Sequence, residues 1–158
     1  MTFAELDSSL PSGFHDAALK SLTVDYEHRR VLMTLSLKVG DPDGPREHRD
    51  DCRDAQVEIA GMIFLIVDPP DVKENFGSAG EVWIADSYET RSIPQFTRHL
   101  GSLMNGIPEN ALVHSFFVND WNSYIHVAAR DCSIRWLGDV RACHGRRHAI
   151  FPGESVNL

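Results

Sequence analysis

Cysteine is scarce in this chain, and the few cysteines present are not arranged as a disulfide framework. The 158 residues include three cysteines, at positions 52, 132 and 143. Their number is odd, their spacing is wide and no CxxC pair occurs, whereas domains that depend on disulfides carry many paired cysteines. We therefore expect no disulfide framework and a location in the reducing cytoplasm.

Long apolar runs and a secretion signal are missing as well. The longest apolar run, residues 60–67, is far shorter than the roughly 20 residues that span a bilayer. The opening MTFAELDSSLPSG contains two acidic side chains and no basic region, so we do not expect a signal peptide. Both absences predict a soluble cytoplasmic protein.

Basic residues are outnumbered by acidic ones. Lys and Arg total 15 against 23 Asp and Glu, which gives a formal net charge of −8 and a pI of about 5.4. An acidic surface repels phosphate backbones and anionic lipids, so neither nucleic acid nor a membrane surface is an expected partner. A basic protein partner is compatible with this charge.

Familiar catalytic motifs are also absent. The sequence has no GxSxG, no Walker A pattern and no GxGxxG, and its serine, cysteine and histidine residues form no recognisable triad. No cofactor is therefore predicted. Because catalysis does not require a known motif, the sequence leaves open whether the protein is an enzyme.

What the sequence does contain is one stretch around which a fold can be built. Residues 56–59 alternate polar and apolar side chains, and from residue 60 to residue 67 both faces are apolar. Alternation predicts a strand with one buried face, and a continuous apolar run predicts a strand covered on both faces. We therefore predict a central strand over residues 55–67.

The same kind of alternation predicts the other strands. Residues 18–26 and 31–39 are separated by a polar break of hairpin length, which indicates an antiparallel pair with one buried face. Further strands are predicted at 81–88, 112–118, 123–129 and 132–136.

One helix is predicted, over residues 92–104. Its apolar residues recur at helical spacing, and Pro94 falls in the first turn. Ser92 and Gln95 have the spacing of a capping box, and Asn105 with Gly106 provides a stop.

Together these elements predict an α+β domain. A mainly antiparallel sheet of six or seven strands, curved or closed into a partial barrel, would pack against one principal helix. We predict an N-terminal arm at 1–12, a single domain at 13–137 and a C-terminal tail at 138–158. Residues 40–54, rich in turn formers and charges, are predicted to form a long exposed loop.

His15 and Asp16 are the candidate catalytic residues. They precede the first strand, where a carboxylate can orient an imidazole for base catalysis or metal binding. Neighbours in an extended chain point to opposite faces, however, so the alternative is that one side chain ties down the start of the strand.

Two histidines of the last hairpin form the candidate metal set. His114 and His126 flank the predicted turn at 119–122 and would lie close across the strands in one of the registers available, with Asp86 as a third ligand. Hydrogen bonding within the sheet is the alternative role for both imidazoles. No metal is predicted, and His114, His126 and Asp86 are kept as the alternative.

Two shorter patterns resemble metal sites less closely. Cys143, His144 and His148 have zinc-like spacing but supply three ligands where a structural site needs four, and a flexible tail is the alternative. The run 41–44, Asp-Pro-Asp-Gly, starts like a calcium loop but lacks its later acidic positions, so we predict a turn.

Trp121, beside Asp120 in a predicted turn, is the candidate binding residue. An exposed tryptophan is the residue type that anchors protein interfaces. The alternative is that its ring folds back onto the hairpin.

The segment 13–17, Gly-Phe-His-Asp-Ala, followed by the strands LKSLTVDYEHRR and VLMTLSLKV, resembles the opening of small uncharacterised bacterial domains with an FHDA start. It is also similar to openings among immunity proteins of bacterial polymorphic-toxin systems. The likeness covers roughly the first 67 residues and brings no catalytic residues with it. It implies an α+β domain that acts by binding a toxin and has no established enzymatic activity.

The predicted function is accordingly a non-enzymatic, immunity-like binding module whose acidic surface attracts a basic protein. Two alternatives stay open. One is a metal-dependent enzyme that uses a His/Asp cluster with His15 as a base, and the other is a homodimer sealed by an exposed sheet edge.

Overall fold

A computed structural model describes residues 1–41, 43–71 and 82–143. Two α-helices, α1 (Phe3–Ser9) and α2 (Pro94–Leu100), accompany eight strands. The strands are β1 (Ala17–Asp25), β2 (Arg30–Lys38), β3 (Asp51–Ala60), β4 (Phe64–Val67), β5 (Val82–Glu89), β6 (Leu112–Val118), β7 (Ser123–Ala129) and β8 (Asp131–Ala142). The prediction of a mainly antiparallel α+β domain is confirmed, but the described residues form eight strands and two helices in place of six or seven strands and one principal helix. Neither helix of the described part is long and apolar enough to cross a membrane.

The strands form a single sheet in the order β4-β7-β6-β5-β1-β2-β3-β8, and every neighbouring pair is antiparallel. The two edge strands of this order are also related along the chain. β4, at one edge, directly follows β3, and β8, at the other edge, directly follows β7. Ala60 pairs with Asp131 and Phe64 pairs with Ala128, so both pairings belong to one bent ribbon. We call the face of the sheet that packs against helix α1 the inner face.

The inner face holds the hydrophobic core. Alternate residues of β2 point into it and are almost completely buried, as the alternation in the sequence predicts. Helix α1 adds Phe3 and Leu6 to the same cluster, and a capping box between Thr2 and Glu5 starts this helix. The segment predicted as an arm thus completes the core.

The predicted central strand is broken in two. Gly61 has a φ of +64°, a left-handed conformation that glycine adopts without strain, and the chain bends there between β3 and β4. A Cβ atom at Gly61 would also lie 3.0 Å from the side chain of Arg130. The first half of the stretch therefore pairs with β2 and β8, and the second half pairs with β7.

The predicted helix at 92–104 is shorter than expected. Residues Pro94–Leu100 are α-helical, and 3₁₀ turns precede and follow them. Pro94 occupies the first turn as predicted, but Ile93 is the N-cap residue and makes no side-chain cap. Ser92 N–H instead donates to Glu89, so the predicted capping box with Gln95 does not form.

The end of the chain contains the clearest corrections. Strand β8 runs to Ala142, five residues beyond the predicted domain boundary at 137, and β3 begins inside the predicted loop at 40–54. Cys52 and Cys143 form a disulfide, which the prediction of no disulfide framework did not anticipate. Partners far apart in sequence are brought together by the β3–β8 pairing, which spacing alone does not reveal. Residues 144–158 of the predicted tail lie outside the described residues.

Candidate functional site

The candidate site lies on the side of the sheet opposite the core, which we call the outer face, beneath α2. His126 in β7 pairs with Ser115 in β6 and with Ile66 in β4, so these three side chains share the outer face. Phe96 of α2 lies above them, with its ring 5.5 Å from the His126 ring and 4.8 Å from the Tyr124 ring. The helix therefore covers the histidine.

A chain of buried hydroxyl groups fixes one side of the His126 ring. Thr90 Oγ1 lies 2.7 Å from Ser115 Oγ, which lies 2.6 Å from His126 Nδ1. All three residues are fully buried. Because Nδ1 is already hydrogen-bonded, the ring presents its other nitrogen, Nε2, to the rest of the site.

His126 Nε2 faces a carboxylate and a second imidazole. It lies 3.4 Å from Asp68 Oδ2, and His99 Nε2 on α2 lies 3.5 Å from the same oxygen. His126 Nε2 is buried and has no hydrogen-bond partner. His99 is 59% exposed, so the cluster opens to solvent on the helix side.

Asp68 is held in place by the main chain. Its N–H donates to the carbonyl of Tyr124 at 2.9 Å, and its own carbonyl accepts a bond from Ser123 Oγ. The predicted central strand ends at residue 67, and β4 likewise ends at Val67, directly before Asp68. The carboxylate beyond that end is the functional group that the sequence interpretation passed over.

Burial controls the protonation of His126. It lowers the pKa of the imidazole, and the nearby Asp68 carboxylate opposes that shift in part. The ring is therefore mainly neutral near pH 7. A neutral imidazole offers a lone pair on one nitrogen, which is the form that binds metals.

The combination of serine, histidine and aspartate is not a nucleophilic triad. Ser115 has no solvent exposure and is hydrogen-bonded to Thr90, so no substrate reaches its hydroxyl. What the arrangement offers is two imidazole nitrogens and one carboxylate, whose ligand atoms all lie within 4.8 Å of one another. Within residues 1–41, 43–71 and 82–143, no other set of three such side chains is so close.

The predicted metal set is not brought together. His114 is one residue from Ser115 along β6 and lies on the inner face, stacked on Phe3 with ring centroids 4.7 Å apart. Burial lowers its pKa to about 4, and its Nε2 has no hydrogen-bond partner. Asp86 lies on the outer face and accepts a 2.7 Å hydrogen bond from Tyr88, which raises the pKa of Tyr88 to about 12. Of the three residues kept as the alternative metal set, only His126 belongs to the cluster.

The candidate catalytic pair lies at a different corner of the molecule. Asp16 has a φ of +59°, which turns its side chain to within 3.7 Å of His15 Nε2, whereas the sequence predicts opposite directions for an extended chain. His15 Nδ1 contacts the carbonyl of Ala85 in β5, and Phe14 is buried in the core. The FHDA segment therefore ties the start of β1 to β5, which agrees with the structural alternative.

Trp121 and Asp120 lie in the turn between β6 and β7. Trp121 is half-buried and packs against the core cluster, as in the alternative in which its ring folds back. Asp120 is exposed but accepts a 2.7 Å hydrogen bond from Trp83 N–H. Both residues therefore have structural contacts.

The remaining patterns do not form metal sites within the described residues. Cys143 is in the disulfide, while His144 and His148 fall outside the described ranges. Gly44 N–H donates to the carbonyl of Asp41, and Asp43 N–H donates to the Asp41 carboxylate. Asp41 thus closes a turn there, as predicted.

No protein-family model matches the chain, and no curated protein matches it. Among solved structures, the chain is similar to an uncharacterized protein from Neisseria gonorrhoeae, with 8% sequence identity and a TM-score of 0.40. The match covers 78% of this chain and 93% of that one. A likeness at this TM-score carries no conclusion about fold or function.

Proposed function

We propose that the chain is a non-enzymatic binding module that recognises a basic surface on a partner protein, as the resemblance to immunity proteins implies. The observation that carries this proposal is a concentration of carboxylates at one end of the sheet. We call it the acidic end and define it by Asp68, Asp71, Asp86 and Asp120.

Main-chain contacts place these carboxylates together. Asp68 N–H donates to the carbonyl of Tyr124, and Asp71 N–H donates to the carbonyl of Trp121, so both lie against the β6–β7 hairpin. Asp86 is opposite Phe117 of the same hairpin. Asp120, in the turn of that hairpin, accepts a bond from Trp83 N–H.

The exposed acids of this end are not neutralised by their hydrogen bonds. Asp86 accepts from a tyrosine hydroxyl and Asp120 accepts from a main-chain amide, and neither donor carries a positive charge. The opposite situation holds on the outer surface of β1, β2 and β3, where Asp54 contacts both Lys20 and Arg141. Among the described residues, the unbalanced part of the net charge of −8 therefore includes Asp86 and Asp120. Such a field raises the association rate with a basic partner and discriminates against acidic proteins.

The test is affinity capture from lysate of the source cells, with the chain immobilised, at low and at high salt. We expect a basic protein that is retained at low salt and released at high salt, because salt screens exposed charges. The double variant Asp86→Asn/Asp120→Asn should retain several-fold less of it. Asparagine keeps an acceptor oxygen at each position, so the two structural hydrogen bonds are preserved.

A matched control variant distinguishes the effect of charge at the acidic end on partner binding from the effect of total charge. The variant Glu27→Gln/Glu47→Gln removes the same number of charges from exposed positions outside the acidic end, and it should bind the partner as the unmodified chain does. Equal recovery by the two double variants, or no salt-sensitive partner at all, would refute the proposal.

A homodimer is the second candidate, because β4 and β8 each have a sheet partner on one side only among the described residues. Unpaired strand edges are a common route to self-association. Sedimentation of the purified chain across a concentration series decides it, and a monomer at every concentration would exclude the dimer.

A further inference from the structure

We propose that Asp68, His99 and His126 bind one divalent transition metal ion of the Zn²⁺ class, with one coordination position left open to solvent. This goes beyond the binding function above and does not depend on it. His126 lies in β7, Asp68 directly follows β4, and α2 supplies His99. An ion here would join the helix to the sheet.

The first support is the spacing of the ligand atoms. Zn²⁺ binds histidine nitrogen and carboxylate oxygen at about 2.0–2.1 Å, so two ligands of a tetrahedral site lie about 3.3–3.4 Å apart. The separations from Asp68 Oδ2 are 3.4 Å to His126 Nε2 and 3.5 Å to His99 Nε2. A charged hydrogen bond would be shorter, about 2.7–2.9 Å. The observed distances thus match ligands around an ion better than they match direct hydrogen bonds.

The second support is the state of His126. Its side chain has no solvent exposure, yet Nε2 is without a hydrogen-bond partner and points at Asp68. A buried polar atom left unpaired is costly, and nearly all such atoms in proteins have a partner. A metal ion bound at Nε2 removes this cost.

The third support is the hydrogen bond at the other nitrogen of the same ring, Nδ1 of His126. Histidines that bind metals usually hydrogen-bond through the other ring nitrogen, which fixes both tautomer and orientation. Ser115 makes this bond to Nδ1, and Thr90 in turn holds Ser115. The ring is therefore oriented before any ion arrives.

The ligand set decides the class of ion. Two imidazoles and one carboxylate suit Zn²⁺ and neighbouring transition metals, whereas Ca²⁺ and Mg²⁺ prefer oxygen ligands throughout.

The third separation, between the two imidazole nitrogens, is within 4.8 Å and must shorten for a tetrahedral site. His99 can move to do this because it is exposed and lies on a short helix with one buried residue, Leu100. Three protein ligands leave the fourth position to water or to a ligand from a partner.

The experiment is calorimetric titration of ZnCl₂ into the full chain, purified without a histidine tag. We expect one equivalent to bind with a Kd in the micromolar range or below. His99→Ala removes a side chain that is 59% exposed, so this variant should fold normally and lose at least roughly tenfold in affinity. Asp68→Asn should do the same.

The matched control is His15→Ala, which removes an exposed imidazole that also lies beside a carboxylate, Asp16, at 3.7 Å. It should leave the titration unchanged. Binding by His99→Ala with the affinity of the unmodified chain, an equal loss in His15→Ala, or no saturable binding at all would overturn the proposal. The Asp86→Asn/Asp120→Asn variant should still bind Zn²⁺, so failure of the partner proposal and failure of the metal proposal are distinguishable.

Discussion

Ser115 Oγ and His126 Nδ1 lie 2.6 Å apart on neighbouring strands, with both side chains fully buried. This bond determines which nitrogen of His126 faces Asp68. Ser115→Ala should therefore lower the Zn²⁺ affinity by roughly 10- to 100-fold. Losses of this size follow when a metal-binding histidine loses the hydrogen bond at its other ring nitrogen. Titration with Zn²⁺ measures the effect.

Ser115→Thr keeps the hydroxyl and serves as the rescue variant. It should recover most of the affinity, whereas a merely structural role for Ser115 would leave the two variants alike. Zn²⁺ affinity that is unchanged in Ser115→Ala would show that the bond does not position the ring.

Local patterns were sufficient to predict most of the strands. Strands β1 and β2 agree with the predicted 18–26 and 31–39 to within one residue at each end, because strict alternation identifies the face that is buried. The break at Gly61 was not predicted, since an apolar run carries no signal of a change in pairing partner. The extent of β8 was missed because its outer residues are polar on an exposed face.

The candidate site was predicted only for His126. His114 and His126 lie on adjacent strands, as expected, but the register puts Ser115 opposite His126, so His114 faces the core. A one-residue difference in register reverses the face of every side chain, and sequence alone does not fix it. His99 and Asp68 come from elements far apart in the chain, and their convergence is a property of the folded sheet.

His114 should make the protein less stable in mild acid. Its pKa is about 4 in the folded chain against 6.5 for an ordinary histidine, so the unfolded chain binds more protons between these values. The free energy of unfolding has its full value, as far as His114 is concerned, above pH 6.5. It decreases as the pH falls from 6.5 to 4. The free energy of unfolding should fall by about 2 kcal/mol between pH 7 and pH 5.

Urea unfolding at these two pH values measures this change, and His114→Leu is the comparison variant. The variant should lose most of the pH dependence. A smaller dependence in the same direction should remain, because burial also lowers the pKa of His126. If the free energy of unfolding changes equally with pH in the variant and in the unmodified chain, groups other than His114 cause the effect.

The Cys52–Cys143 disulfide should be detectable by counting thiols. Cys132 is buried and burial raises its pKa to about 11, so the native chain should react with no thiol reagent at neutral pH. Denaturation should expose one thiol and reduction should yield three. Reduction should also lower the free energy of unfolding by roughly 2–4 kcal/mol.

Free thiols can also be counted on protein that an alkylating reagent has modified inside the cells. This count tests the predicted cytoplasmic location. Disulfides are rare in the cytoplasm, so the bond weighs against a cytoplasmic location, which stays a prediction. Three alkylated cysteines in trapped protein would support the cytoplasm and contradict a disulfide in the working molecule.

Phe3 should prove essential to the core although it lies in the segment predicted as an arm. It is 3% exposed and contacts the rings of His114 and Phe116. Phe3→Ala should lower the free energy of unfolding by about 3–5 kcal/mol, as for other buried aromatic residues. Ser8→Ala, on the exposed side of α1, should change it by less than about 0.5 kcal/mol. A similar small change for Phe3→Ala would mean that α1 is not docked in solution.

The most direct measurement is the NMR spectrum of the histidine side chains during a Zn²⁺ titration of the untagged chain. Signals of His99 and His126 should change together and saturate at one equivalent, with coordination reported at Nε2 of His126. His15 and His28, each beside a carboxylate on other parts of the surface, should not change. Saturable changes at His15 or His28 with His99 and His126 unaffected would contradict the metal site.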